Sequence, residues 1–133
     1  LTLLTCLFLL TSCGEVETVK YEDLVTRKGL YYQKSSDGPF TGKTTGKTQG
    51  TFKNGKKDGP YVHYHKNGQL FLKTNYKDGK RDGPYIRYYD NGRLSSKGKQ
   101  KDGKQEGPWV WYKKDGTVWE KYTGTFKNGV KVK

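Results

Sequence analysis

The sequence predicts an all-β fold: a single-layer, open antiparallel β-meander built from hairpin repeats of about 24 residues. Three observations predict it. The chain repeats itself from each Gly-Pro step, as DGPYVHYHKNGQLFLKTNYKDGKR (58–81), DGPYIRYYDNGRLSSKGKQKDGKQ (82–105) and the longer EGPWVWYKKDGTVWEKYTGTFKNGVK (106–131), after a degenerate unit, DGPFTGKTTGKTQGTFKNGKK (37–57). Asn-Gly or Asp-Gly steps not followed by proline fall at 54, 67, 78, 91, 102, 115 and 128. These are the strongest short-range hairpin signals, because glycine tolerates the positive φ of a tight β-turn. The apolar residues after Cys13 number 32 of 120, 18 of them aromatic, with no Ala or Met. That composition cannot supply a helical core and suits a sheet faced with rings and valine.

The first element is not part of the repeat. Residues 1–13, LTLLTCLFLLTSC, carry no charge and have the length of a signal-peptide apolar region, too short to span a bilayer as a helix. Leu10-Thr11-Ser12-Cys13 resembles a bacterial lipobox, which implies cleavage before Cys13 and lipid on its thiol. The alternative is a buried N-terminal strand or helix. With Cys6 removed and Cys13 acylated, the folded part keeps no thiol for disulfide chemistry. Residues 14–28 read as a polar tether, and 29–133 as the repeat domain, with units 37–57, 58–81, 82–105 and 106–131. GLYYQ (29–33) is the expected first strand, and TGKTTGKTQG (41–50) a loop or weak edge hairpin.

Residue parity assigns faces. A three-residue loop at each turn, such as Lys66 to Gly68 with a G1 bulge, pairs Tyr64 with Leu70 and Val62 with Leu72. It predicts an even-numbered core face: Phe52, Val62, Tyr64, Leu70, Leu72, Tyr76, Ile86, Tyr88, Leu94, Val110, Tyr112, Val118, Tyr122 and Phe126. The opposite face then carries Tyr61, Tyr85, Trp109, Phe71, Tyr89, Trp111 and Trp119. Those rings have two readings. They cover the bare backbone of nearby glycines, or they form an exposed aromatic strip for a partner. The candidate partner-binding residues are Tyr61, Tyr85, Arg87, Tyr89, Trp109, Trp111 and Trp119.

GPYVHYHKNGQL and GPYIRYYDNGRL resemble the MORN-variant repeat. The entry segment RKGLYYQKSSDGPFTGK (27–43) is similar to the start of bacterial YwqK-type antitoxins, and the likeness spans roughly residues 26–131. The first resemblance implies a scaffold, lipid-contact or protein-docking sheet with no catalytic residues. The second implies a partner toxin.

Net charge is +13, and all 26 Lys and Arg follow Cys13. Such a surface favours anionic partners: envelope polyanions, acidic lipid headgroups, acidic proteins or nucleic acid; plain solubility is the other reading. An export signal disfavours nucleic acid, although basic residues interleaved with rings suit single strands. Catalysis finds little support. Asp37, Asp58, Asp78, Asp82, Asp90, Asp102, Glu106 and Asp115 sit in or beside turns, where carboxylates bond local backbone. His63 and His65 share a strand face without a third metal ligand. No Gly-x-Ser-x-Gly elbow is present, and the Gly-Lys-Thr steps at 42–44 and 46–48 lack the glycine spacing of a phosphate loop. The expectation is a non-catalytic cell-envelope lipoprotein without cofactor or metal. It is anchored to a bacterial membrane through Cys13, and its sheet binds a protein or an anionic envelope component. The alternative is an immunity protein that neutralises a toxin.

Overall fold

The structure is a computed structural model that describes residues 14–133. The expected leader and Cys13 lie outside the described residues. Ten strands form one sheet: β1 (Thr18–Lys20), β4 (Gly42–Thr45), β5 (Thr48–Lys53), β6 (Lys56–Tyr64), β7 (Leu70–Lys77), β8 (Lys80–Tyr88), β9 (Leu94–Lys101), β10 (Lys104–Trp111), β11 (Gly124–Lys127) and β12 (Val130–Lys131), in that spatial order. From β4 onward every pair is an antiparallel neighbour in sequence, as a meander requires. The remaining strands, β2 (Leu24–Arg27) and β3 (Leu30–Gln33), make a separate hairpin.

The N-terminal segment departs from expectation. Residues 18–27, expected within a polar tether, form β1, a 3-10 turn (Tyr21–Asp23) and β2. Strand β1 pairs in parallel with β4, so 41–50 is an interior hairpin with Thr44, Thr48 and Gly50 buried. Tyr21 and Tyr31 bring their rings to 6.5 and 5.0 Å from Phe52, closing the first end of the sheet.

Two kinds of turn alternate. At Asn54-Gly55, Asp78-Gly79, Asp102-Gly103 and Asn128-Gly129 both residues have positive φ, near 50° and 80°. These are two-residue type I′ turns, whose twist matches the flanking strands. At Asn67, Asn91 and Asp115 only the following glycine has positive φ. There the His65 N–H donates to the Gln69 carbonyl at 2.8 Å and the Gly68 N–H to His65 at 3.0 Å, the predicted three-residue loop. Tyr64 accordingly faces Leu70, and Tyr88 faces Leu94.

The predicted core face is corrected in the next step of the ladder. His63, not Val62, faces Leu72, because Phe71 is an extra residue bulged out of β7; Ser95 repeats the bulge in β9. One extra residue inverts the parity, and the two-residue turns at Asn54, Asp78, Asp102 and Asn128, where a three-residue loop is expected, invert it again between units. Val62, Ile86 and Val110 therefore lie half-buried in a cross-strand row, Gln49–Val62–Lys73–Ile86–Lys97–Val110, on the other face. Of the predicted core, Phe52 and Leu72 are buried and Tyr76 and Phe126 pack beside the core cluster. Its centre is formed by Tyr61, Tyr85 and Trp109.

These three rings explain how one layer buries anything. The row on their face reads Gly50, Tyr61, Thr74, Tyr85, Gly98, Trp109, Gly124, a large ring alternating with a small residue from strand to strand. Tyr61 lies over the bare backbone of Gly50, and Trp109 over that of Gly98. A Cβ built on Gly98 would stand 2.3 Å from the Trp109 indole, and one on Gly50 2.9 Å from the Tyr61 ring.

Candidate functional site

The seven residues expected to bind a partner are divided by the structure. Tyr61, Tyr85 and Trp109 are 8, 7 and 3% exposed and contribute no exposed strip; Tyr61 and Trp109 cover glycines. Trp109 also donates its indole N–H to the Lys99 carbonyl at 2.9 Å. Arg87 and Tyr89 are half-buried and already engaged. The Arg87 guanidinium stands 4.8 Å over the Phe71 ring, and the Tyr89 hydroxyl donates to the Tyr112 carbonyl at 2.7 Å. Trp111 is half-buried and stacks on Trp109 at 6.1 Å. Trp119 is exposed, edge-on to an exposed Tyr122 at 4.8 Å.

Histidines and turn acids have structural occupations. His63 Nδ1 and Thr48 Oγ1 share a hydrogen bond of 2.6 Å, and His65 Nε2 donates to the Tyr88 carbonyl at 3.0 Å. The Asp58, Asp82 and Glu106 carboxylates each accept from the backbone N–H of the next type I′ turn, at Asp78, Asp102 and Asn128. Asp115 bonds the backbone N–H and hydroxyl of Thr117, which holds its carboxyl below the ordinary carboxylate value. Burial pushes the Tyr21, Tyr31 and Tyr61 phenols up.

Two surfaces remain free for a partner. On one face, Lys73 and Lys97 flank Ile86 in the row described above, with Lys99 beside Pro84. The lysines are exposed and the aliphatics half-buried, an arrangement in which lysine stems lie along apolar side chains while their ammonium groups stay in water. Among the described residues a single ion pair is formed, Lys114 with Asp90 at 2.9 Å. The other surface is a groove of about 400 Å³ on the ring-bearing face, lined by Arg81, Tyr85, Gln100, Gln105, Trp109 and Trp111. Reading the sequence singles out neither glutamine nor Arg81. The signal is in the repeat columns: Phe52, Tyr76, Gln100 and Phe126 occupy one position of successive units and face Lys57, Arg81, Gln105 and Lys131.

An open, single-layer sheet of hairpin repeats with its core drawn from rings over glycines is a repeat architecture. The repeats are of a particular kind. The MORN repeat variant matches at residues 57–78 and 81–102. No curated protein matches the chain.

Proposed function

We propose that this chain is a non-catalytic scaffold of the bacterial cell envelope. It is held to a membrane by lipid on Cys13 and receives an anionic protein or envelope component on its lysine face. The observation that carries this reading is the surplus of cations without an acidic partner. Against 26 Lys and Arg and 13 Asp and Glu there is one ion pair among the described residues. Charge that does little for internal stability remains available to steer and hold an anionic partner.

Binding of the full chain to vesicles containing phosphatidylglycerol, and to partners recovered from envelope extract, tests it. Affinity falls steeply with added salt if the lysine face is responsible, and falls again in the Lys73→Glu, Lys97→Glu double variant. Salt-independent binding that ignores this charge reversal overturns the reading. The anchor is tested separately: labelled palmitate enters the wild-type chain and not Cys13→Ser. The likeness of residues 27–43 to YwqK-type antitoxins supports a second reading, in which the partner is a toxin. A neighbouring gene whose product arrests growth alone and not with this chain tests that version.

A further inference from the structure

The groove between β8 and β10 is the one place where the repeat breaks its own rule. Three units put an aromatic residue opposite a cation across their type I′ hairpin: Phe52 with Lys57, Tyr76 with Arg81, and Phe126 with Lys131. In the first two the cation sits against rings. The Lys57 ammonium is 5.0 Å from the Tyr76 centroid and 4.3 Å from that of Tyr61, and Arg81 stands 5.4 Å from that of Tyr85. At the corresponding register of β9 and β10 the pair is Gln100 with Gln105. Two amides replace a ring and a cation, and the space the ring would fill is left open as the groove.

The chemistry of the opening is specific. Gln100 is 8% exposed, and its Oε1 has no hydrogen-bond partner in the chain. Buried amide oxygens are seldom left so. Rotation about the Gln100 Cγ–Cδ bond exchanges Oε1 for Nε2, so this amide presents either an acceptor or a donor to the groove. Arg81 is engaged inside the chain through Nε, which donates to the Tyr76 hydroxyl at 3.2 Å; its two terminal nitrogens point to no acceptor among the described residues. Lys104 adds a second cation to the lining, and no carboxylate is present there. The walls are Tyr85, Trp109 and Trp111. From Trp111 the rings continue outward to Tyr122 at 6.3 Å and then to the exposed Trp119 at 4.8 Å.

We propose that this groove binds an acidic saccharide. Amides suit vicinal hydroxyls, which donate and accept together. Unopposed cations suit a sugar carboxylate, and Arg81 can grip one in bidentate fashion. The half-buried Trp111 and the exposed Tyr122 and Trp119, in succession, suit the apolar faces of consecutive sugars. The site is independent of the lysine face, which lies on the other side of the sheet.

The test is titration of the full chain with tetragalacturonate and with uncharged cellotetraose. Tryptophan fluorescence and the side-chain amide NMR signals of Gln100 and Gln105 are followed. The acidic tetrasaccharide shifts both signals saturably, and at least ten times more tightly than the neutral one. Gln100→Tyr, which restores the residue of the preceding unit and fills the groove, abolishes the response. Gln105→Ala, at a half-exposed position, weakens it without disturbing the fold, and Lys73→Ala with Lys97→Ala leaves it unchanged. Equal affinity for the two sugars, absence of a saturable shift, or full binding by both groove variants overturns the proposal.

Discussion

The Asp58 carboxylate accepts a hydrogen bond from the backbone N–H of Asp78 at 3.2 Å, joining the Gly-Pro step of one unit to the type I′ turn that closes it. The same bond recurs between Asp82 and Asp102 and between Glu106 and Asn128. Asp78 adopts a φ of 54°, in the left-handed region that L residues avoid. The N–H thus presented is held by a side chain from the adjacent bulge. Asp58→Ala removes the acceptor and costs about 0.5–1.5 kcal/mol of stability, read as a lower urea midpoint. Asp58→Asn keeps a carbonyl oxygen in reach and loses less. Equal losses for the two variants would show that the contact is incidental.

Turn chemistry separates positions that look alike in the sequence. Asp102 and Asn91 each precede a glycine, yet only Asp102 has positive φ. Asp102→Val forces a β-branched residue into that conformation and costs about 1–3 kcal/mol. Asn91→Val meets no such strain. It loses the bonds by which the Asn91 side chain accepts from the Arg93 N–H at 3.0 Å and donates to the Lys114 carbonyl at 3.2 Å. Both sites are exposed, so smaller bond losses are expected at Asn91 than strain at Asp102. Thermal melts of the two single variants rank them, and the reverse order contradicts the turn assignment.

The Trp109 ring and Gly98 are mutually dependent. Trp109→Ala removes a buried ring and costs about 3–5 kcal/mol. Gly98→Ala drives a methyl into the indole, which lies 2.3 Å from the built Cβ, and costs about 1–3 kcal/mol through overpacking. In the Trp109→Ala background the space is vacant, so Gly98→Ala costs much less there. A double-mutant cycle in urea measures the coupling; additive losses would mean the ring does not rest on Gly98.

Most of the architecture is legible in the sequence because it is written in turns. The positions of the Asn-Gly and Asp-Gly steps give the number and order of the hairpins from β5 to β12, but the three-residue loop expected at every turn occurs only at Asn67, Asn91 and Asp115. The face assignment is not legible. It hinges on a single bulged residue per unit, Phe71 or Ser95, and those two side chains share no property that marks a bulge. The bulge at Phe71 sends Val62 outward and Tyr61 inward, and the two-residue turn at Asp78, read in the sequence as a three-residue loop, does the same for Ile86 and Tyr85. Strand β1 escapes because its parallel partner, β4, lies beyond an intervening hairpin, and no turn signal links the two. Of the candidate site, the rings are visible and their burial follows from the glycines facing them. The groove is visible only by difference, as Gln100 in a column otherwise filled by Phe52, Tyr76 and Phe126.

Alkaline pH gives a test of the N-terminal end of the core. Burial raises the Tyr61 phenol above its ordinary value of 10.0, and burial likewise raises Tyr21 and Tyr31, whose hydroxyls meet at 3.5 Å. A raised folded-state pKa means that the fold favours the neutral ring. This contribution to stability is complete below the unfolded value near 10 and is lost as pH climbs through the higher folded values. Ultraviolet titration should therefore show a late class that contains Tyr21, Tyr31 and Tyr61. The urea midpoint should hold level up to about pH 10 and fall beyond it. Tyr61→Phe removes one member of the late class and makes the alkaline fall shallower. A single tyrosine transition at the ordinary value, with no shallower fall in Tyr61→Phe, would show that these rings are not shielded as the packing of Tyr21, Tyr31, Phe52 and Tyr61 requires.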